Sequence, residues 1–338
     1  MPITQGDFTP SQLTAAIMRA DKMWSDDMLK ADYEANTDVW KAINAEQNAN
    51  VDILQSNEKD RDVKVHWVNL CGEAAEDADA DDCDLEGAEF GSDSQTYALG
   101  IHKQFKVSID EMTFRTNDYN VEEIVAKAIL KADKALADAV AGSAVARIES
   151  FKGVNVVTDG VGTVNGVTTE TDVAAADWNE RLFAYLYRVG IQNKLSNPYL
   201  VSGTNLFEDR LVAMLSEANA NGKGDAALFK MMRTYFDLFN IDPANSPNLK
   251  TYLINRGSIA FAGKHWYGAV PTKYMQQHRY SVAMRNLPGY RMDVFYENKC
   301  SGVTIKHNMK FKLSYDYFLN PTGCEGTRTG VLAFNKTA

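Results

Sequence analysis

The densest group of reactive side chains in this sequence is an acidic run, residues 73–89, which holds nine carboxylates. Carboxylate oxygens are the ligands that Ca²⁺ prefers, and Asp77, Asp79 and Asp81 match the first three ligand positions of a helix–loop–helix calcium site. The match then fails, because Asp82 stands where the loop requires glycine and the closing glutamate falls one place too late. We interpret the run as a solvated loop tip extended by self-repulsion, with a weak surface cation site as the alternative.

Other residue types that carry chemistry do not form known constellations. The five histidines are scattered, with neither the i, i+4 spacing of a zinc helix nor a cysteine close in sequence. Ser202 lacks the glycine two residues before it that a nucleophile elbow requires. The run Gly222-Lys223-Gly224 lacks the spacing of a phosphate loop. The sequence therefore predicts no catalytic residues, no metal site and no cofactor, and an enzyme with a dispersed site stays as one alternative.

The acidic run is followed by a strand pattern of unusual length. Apolar side chains occupy alternate positions, with Lys103 as the one break, at Tyr97, Leu99, Ile101, Phe105, Val107 and Ile109. At roughly 3.3 Å per residue this strand would reach about 40 Å, whereas most strands have about 5 or 6 residues. Residues 64–70 are a plausible pairing partner, which would make the acidic run the tip of a hairpin-like arm.

A long helix is predicted next. Asn120 and Glu123 have the spacing of a capping box, and apolar residues then recur at intervals of three and four without proline up to Ile148. Glu123 and Lys127 add an ion pair at the favourable spacing. At 1.5 Å per residue the helix is about 45 Å long, and its alanine-rich stripe lets other elements pack closely. A buried helix in an ordinary α+β domain is the alternative interpretation.

The composition indicates a soluble, globular chain. The 338 residues are 45% hydrophobic, enough for two domains or one elaborated domain, and no uncharged run is long enough to span a membrane. The start of the sequence shows no signal or transit peptide, and four scattered cysteines favour reduced thiols over disulfides. Residues 1–100 carry 22 acidic and 7 basic side chains, and the remainder 23 acidic and 28 basic. Such asymmetry is expected where the acidic part of one copy lies on the basic part of another, although a solvated acidic surface would give the same counts.

The remaining elements alternate between helix and strand. Thr9, Pro10 and Gln12 form a capping box that opens an N-terminal helix, and a second helical pattern runs from Trp40 to Ile53 and Leu54. We interpret this region as an arm that docks onto its own chain or a neighbour. Helices are then expected at residues 177–193, 205–218 and 226–239, and strands at residues 198–201, 251–255, 258–262, 280–285, 290–296 and 303–318.

This order of parts resembles the major capsid proteins of tailed bacteriophages, which have the Hong Kong ninety-seven type of α+β fold. The closing run from Val303 to Leu313, followed by Asn320-Pro321 and Gly330-Val331-Leu332, is similar to the terminal strand, proline and glycine of that family. The resemblance is one of architecture and spans nearly the whole chain. It divides the chain into an N-terminal helical arm (1–62), an extended β loop with an acidic tip (63–117), a peripheral domain with a spine helix (118–189), a mixed α/β axial domain (190–275) and return strands of the peripheral domain (276–338).

The resemblance implies a structural virion protein. Such subunits assemble with themselves as hexamers and pentamers of an icosahedral shell that encloses double-stranded DNA without sequence-specific binding, in the host cytoplasm and away from membranes. Scaffold, portal and decoration proteins are the further candidate partners. Alternatives are the shell protein of an encapsulin-like nanocompartment and a phage tail or surface binding protein. The residues predicted to contact other subunits are Trp24, Trp40, Asp79, Asp81, Asp82, Asp84, Tyr97, Leu99, Ile101 and Phe105.

Overall fold

A computed structural model describes most of the chain outside its loops. The described residues are 8–45, 50–53, 62–68, 92–110, 121–157, 160–178, 180–195, 197–203, 206, 238–240, 250–301, 304–319 and 329–337. The predicted helices at 205–218 and 226–239, the predicted cap Asn120 and the acidic run 73–89 lie outside these residues, apart from Leu206 and residues 238–239. Residues 238–239 lie in a strand and not in the predicted helix.

Five α-helices are described, and the fourth is the longest. They are α1 (Pro10–Trp24), α2 (Asp27–Tyr33), α3 (Asp38–Ala45), α4 (Val121–Ser150) and α5 (Glu180–Gln192). The predicted long helix is confirmed by the 30 residues of α4, and its Glu123–Lys127 ion pair forms at 3.6 Å. No described helix is both long enough and apolar enough to cross a membrane.

The described strands form three sheets. The first, in the order β1-β2-β3, contains β1 (Asn50–Ile53), β2 (Asp62–Val68) and β3 (Ser92–Ala98). The second has the order β10-β14-β13-β12-β11 with β4 also paired to β14, and contains β4 (Ile101–Asp110), β10 (Ile259–Lys264), β11 (Thr272–Tyr274), β12 (Gln277–Ala283), β13 (Arg291–Ser301) and β14 (Thr304–Leu319). The third, in the order β5-β6-β15-β9-β7-β8, contains β5 (Gly162–Val164), β6 (Thr171–Ala174), β7 (Tyr199–Ser202), β8 (Leu238–Asn240), β9 (Thr251–Ile254) and β15 (Val331–Thr337).

The main core lies between α4 and the second sheet. The odd-numbered side chains of β14, such as Phe311 and Leu313, are buried, as are alanines of α4 such as Ala132 and Ala137. The hydroxyls of Tyr315 and Tyr317 donate to the helix carbonyl oxygens of Ala139 and Val140, each at 3.0 Å. These small helix residues let the backbone of α4 lie close to the sheet, as the alanine-rich stripe predicts.

The predicted long strand is two strands that belong to different sheets. β3 pairs antiparallel with β2, in the register Val63↔Tyr97, whereas β4 pairs with β14, in the register Phe311↔Phe105. The break falls at Leu99–Gly100, between the two strands. The predicted pairing partner at residues 64–70 is thus confirmed for β3 as far as Val68, and it is wrong for β4. The alternation of side chains continues through the break, which is why one strand was expected.

The N-terminal helices pack on their own chain. α1 lies along α4, and the turn between β12 and β13 holds the segment that joins α2 to α3. Asn286 in this turn accepts a hydrogen bond from the amide of Ala35 at 2.8 Å and donates to the carbonyl of Tyr33 at 3.0 Å. Arg285 pairs with Asp21 at 2.7 Å. Docking onto the own chain, one of the two expected arrangements, is therefore observed for α1–α3. The expected helix does not reach Ile53, which lies in β1.

The capping box of α1 is present and offers a test of helix stability. The side chain of Thr9 accepts from the amide of Gln12 at 3.3 Å, and the amide of Thr9 donates to Oε1 of Gln12 at 2.9 Å. We expect Thr9→Ala to lower the free energy of unfolding by about 1 kcal/mol, because an N-terminal amide of the helix loses its partner. Urea unfolding followed by circular dichroism measures this change. Thr9→Ser keeps the cap, so equal losses for both variants would contradict the role.

The strand pairing differs from the predicted division of the chain at two places. β10 and β11 lie in the second sheet, although their residues fall within the segment 190–275 that was predicted to form the axial domain. β15 lies in the third sheet between β6 and β9, although its residues fall within the predicted return strands 276–338. The short hydrophobic runs predict where these strands lie but not which strands they pair with. The alternation of side chains specifies the buried face of a strand and not the neighbouring strand in the sheet.

Candidate functional site

The sheet β1–β3 is called the arm from here on, and the rest of the described chain is called the body. The root of the arm is the junction at which this sheet meets the body. Gly100 joins β3 to β4, and its amide donates to Oδ2 of Asp316 at 3.0 Å. Arg147, near the end of α4, contacts Oδ1 of the same carboxylate at 2.8 Å, and the amide of Tyr317 donates to that oxygen. A Cβ atom at residue 100 would lie 2.9 Å from Oδ2 of Asp316. The glycine is therefore required for the close approach of its backbone to a buried, doubly held carboxylate.

Apolar contacts complete the arm root. Val63 of β2 and Leu99 are buried together with Ala260, Ala262 and Phe318 of the second sheet. The ring of Tyr97 packs on the ring of Phe318 with 4.4 Å between centroids. The body thus fixes the position of the arm. Burial is described for five arm side chains, those of residues 63, 64, 96, 97 and 98, and of these only Val63 is buried.

The structure separates the predicted subunit contacts into two groups. Leu99 and Trp40 are each 2% exposed and pack inside this chain, and their role as intersubunit contacts stays a prediction. Tyr97, Ile101, Phe105 and Trp24 are half-buried, and their role as contacts stays a prediction. The acidic contacts Asp79, Asp81, Asp82 and Asp84 lie outside the described residues. Ile101 and Phe105 belong to the alternating apolar series that predicted one long strand, and both pack partly against the core of their own chain.

An ion network connects the end of α4 to the third sheet. The ammonium groups of Lys152 and Lys250 lie 2.7 and 2.8 Å from Oε1 of Glu149, and both also contact Oε1 of Glu170. The hydroxyl of Tyr252 donates to Oε2 of Glu149 at 2.6 Å. Burial acts to raise the pKa of Glu149, but the hydrogen bonds from Lys152, Lys250 and Tyr252 outweigh it and lower that pKa to about 2. The network joins the body into one unit, and its members are too far apart in sequence to be predicted together.

The pH dependence of stability tests the network. Because the pKa of Glu149 is lowered from 4.5 to about 2, the stabilisation from its ionised form is present above pH 4.5 and is lost as the pH falls toward 2. We expect Glu149→Gln to lower the free energy of unfolding by about 2 kcal/mol at pH 7 and to flatten its decrease in this pH window. Urea unfolding of unassembled subunits at pH 7, 4 and 3 measures both effects. A constant difference between the two proteins at all three values would exclude Glu149 as the titrating group.

The other candidate residues for chemistry are occupied in packing. Ser202 is buried and its hydroxyl donates to the carbonyl of Gly203 at 3.2 Å. His307 is buried, 2.8 Å from the hydroxyl of Tyr296 and stacked on Phe8 with 4.2 Å between ring centroids. His102 contacts the hydroxyl of Ser314 at 2.9 Å. Among the described residues, no group of three or more His, Cys, Asp or Glu side chains could hold a metal ion.

Comparisons with known proteins concern the fold. No protein-family model and no curated protein matches the chain. Among solved structures, the capsid of cyanophage A-1(L) matches at 8% identity over 88% of this chain and 92% of its own, with a TM-score of 0.46. The cyanophage P-SCSP1u capsid matches at 11% identity over 82% and 84%, with a TM-score of 0.42. The capsid of Ralstonia phage GP4 matches at 10% identity over 81% and 83%, with a TM-score of 0.43. Each of these matches covers more than four fifths of both chains.

Proposed function

We propose that this chain is the major capsid subunit of a tailed bacteriophage. Copies of the chain assemble as hexamers and pentamers into an icosahedral shell that encloses double-stranded DNA, and the protein resides in the virion after assembly in the host cytoplasm. Scaffold, portal and decoration proteins are its further partners. Its mechanism is assembly, so no group of the chain is assigned a catalytic role.

The observation that carries the proposal is the arm. β1, β2 and β3 pair only with one another among the described strands, and their sheet meets the body at the root formed by Leu99 and Gly100. A small sheet gains stability when a second layer covers one of its faces. Since no described element of the chain provides that layer beyond the root, a neighbouring subunit is the natural source of it.

The body supplies the rigid part that such an arm needs. α4 packs on the second sheet through the hydroxyls of Tyr315 and Tyr317, and its end is joined to the third sheet through Glu149. Arg147 and Glu149 lie within the last turn of the same helix and serve the arm root and the ion network, respectively. A helix that is fixed both at the arm root and at the ion network would couple the position of the arm to that of the body. This coupling supports a subunit that assembles with its neighbours at defined angles.

Particle formation tests the proposal. The purified chain is expected to form closed shells or rings of five and six subunits, visible by negative-stain electron microscopy and as fast-sedimenting species in analytical ultracentrifugation. A monomer that persists at high concentration, with or without the scaffold protein of its own virus, would contradict it and favour a tail or surface binding protein. Purified virions distinguish a capsid from an encapsulin-like compartment, because only a capsid subunit should be the most abundant protein in DNA-filled particles.

A further inference from the structure

The outer face of the second sheet carries an excess of positive charge. This is the face opposite α4, and it presents the even-numbered side chains of β4 and β14 together with the odd-numbered side chains of β12 and β13. Its cations are Lys106, Arg279, Arg291, Lys299, Lys306, Lys310 and Lys312, and its carboxylates are Asp110, Asp293, Glu297 and Asp316. Asp293 is buried and accepts from the amides of Trp266 and Tyr267. The excess lies in an otherwise acidic protein, whose formal net charge is −10.

Two pairs of lysines stand directly opposite each other on this face. Lys106 of β4 is the register partner of Lys310, and Lys299 of β13 is the register partner of Lys306. Like charges directly opposite on neighbouring strands repel each other and destabilise the pairing. No ion pair joins any of these four lysines to a carboxylate among the described residues, although the ammonium of Lys310 lies 4.2 Å from the ring of Phe295. An anionic partner would relieve the repulsion between Lys106 and Lys310, and in part that between Lys299 and Lys306, since Lys306 also stands opposite Asp110 of β4.

A groove lies beside the first lysine pair. Its volume is about 490 Å³, and the side chains that line it include Lys106, Ser108, Phe295, Asn308 and Lys310. The two lysine pairs are four residues apart along β14, which is about 13 Å in a strand. The face therefore offers two positive positions at a fixed spacing, hydrogen-bonding groups between them and an aromatic ring.

We propose that this face, termed the cationic face, binds the acidic run 73–89 of a second copy of the chain. The inference rests on the proposed function and names the surface on which the arm of one subunit is received by another. In an extended segment, Glu73, Ala75 and Asp77 would lie on one side at intervals of about 7 Å, so the carboxylates of Glu73 and Asp77 would match the spacing of the lysine pairs with Ala75 between them. Complementary charge of this kind sets register and raises the association rate.

Two features favour an acidic peptide over nucleic acid as the occupant. Glu297 lies between the lysine pairs on the same face and accepts from the side chain of Gln277 at 2.9 Å. A carboxylate there repels a continuous row of phosphates, whereas a peptide can place an amide or an alanine opposite it. The groove is also lined by Phe295, which offers apolar surface to a small side chain such as Ala75, on the same side of the segment as Glu73 and Asp77.

Peptide binding tests the cationic face directly. A fluorescein-labelled peptide of residues 73–89, with Cys83→Ser to prevent oxidation, is titrated with the unassembled full-length chain and followed by anisotropy. We expect Lys106→Glu/Lys310→Glu to weaken binding at least tenfold, and the matched variant Lys22→Glu/Lys131→Glu, on exposed helix positions, to leave it unchanged. Equal weakening by both variants, or by neither, would overturn the inference. So would a DNA duplex that binds the same face more tightly than the peptide and is not displaced by it.

A charge exchange in the assembling protein provides the second test. Lys106→Glu/Lys310→Glu and Glu73→Lys/Asp77→Lys are each expected to lower the yield of shells at least tenfold, and their combination is expected to restore a large part of it. Wild-type yield in either variant overturns the inference while the proposed function stands. If the wild-type chain forms no shells, the proposed function fails, and the peptide titration alone then decides whether the face binds the acidic run. Circular dichroism of each variant confirms that the subunit is folded.

Discussion

Replacement of Trp40 by alanine is expected to lower the free energy of unfolding by about 3–5 kcal/mol, the largest loss that we expect from a single substitution in this chain. The side chain is 2% exposed, and its ring meets the rings of Phe261 and Tyr290 edge-on, each at 5.8 Å between centroids. It holds α3 on the second sheet, so its loss removes both buried area and the docking point of that helix. Urea unfolding of the unassembled subunit, with circular dichroism as the signal, measures the change.

Two further variants separate packing from other contributions of Trp40. Trp40→Phe keeps most of the buried area, and the indole N–H that it removes has no hydrogen-bond partner among the described residues, so we expect a loss of about 1 kcal/mol. Trp24→Ala removes a half-buried tryptophan on the same N-terminal region, and its cost should be well below that of Trp40→Ala. If Trp40→Ala left the isolated subunit as stable as wild type but abolished assembly, Trp40 would act as an intersubunit contact and not in the packing of α3.

Trp40 also illustrates which parts of the fold the sequence specifies. The spacing of apolar residues and the capping residues depend on local sequence. They therefore predict α1, α4 and α5 to within a few residues. Whether an amphipathic helix docks on its own chain or on a neighbour depends on a surface that forms elsewhere, here from Phe261 and Tyr290. The pattern around Trp40 therefore predicted a buried tryptophan but could not specify which chain buries it.

The arm root shows a second limit of the same kind. Leu99 continues the alternation of Tyr97 and Ile101, so the pattern contained no sign that the chain passes from one sheet to another. Asp316 gave no signal either, because it continues the polar even-numbered series Lys310, Lys312 and Ser314 on the side of β14 opposite the buried tyrosines. Its partners, Gly100 and Arg147, are more than 160 residues away in sequence. Such contacts depend on the completed topology and cannot be derived from local spacing.

Disruption of the arm root is expected to affect assembly more than folding. Gly100→Ala would place a Cβ atom 2.9 Å from Oδ2 of Asp316, and the carboxylate cannot retreat easily because Arg147 and the amide of Tyr317 hold it. We expect a loss of about 1–3 kcal/mol in subunit stability from this overpacking, and a fall in shell yield of at least tenfold, because the arm would leave the body at a different angle. Urea unfolding and sedimentation measure the two effects. Gly166→Ala is the matched control, since no atom lies within 4 Å of a Cβ atom there.

A double-mutant cycle decides whether the carboxylate itself causes the effect. Asp316→Ala alone leaves the amide of Gly100 without its acceptor and Arg147 without its partner, and we expect a cost of about 1–3 kcal/mol. In the presence of Asp316→Ala, however, the added methyl of Gly100→Ala has space, so the double variant should be more stable than the sum of the two losses implies, by about 1 kcal/mol. Strict additivity would show that the glycine is needed for its backbone and not for its approach to Asp316. A positive coupling together with lost assembly in all three variants would instead identify the contact between Gly100 and Asp316 as the element that sets the direction of the arm.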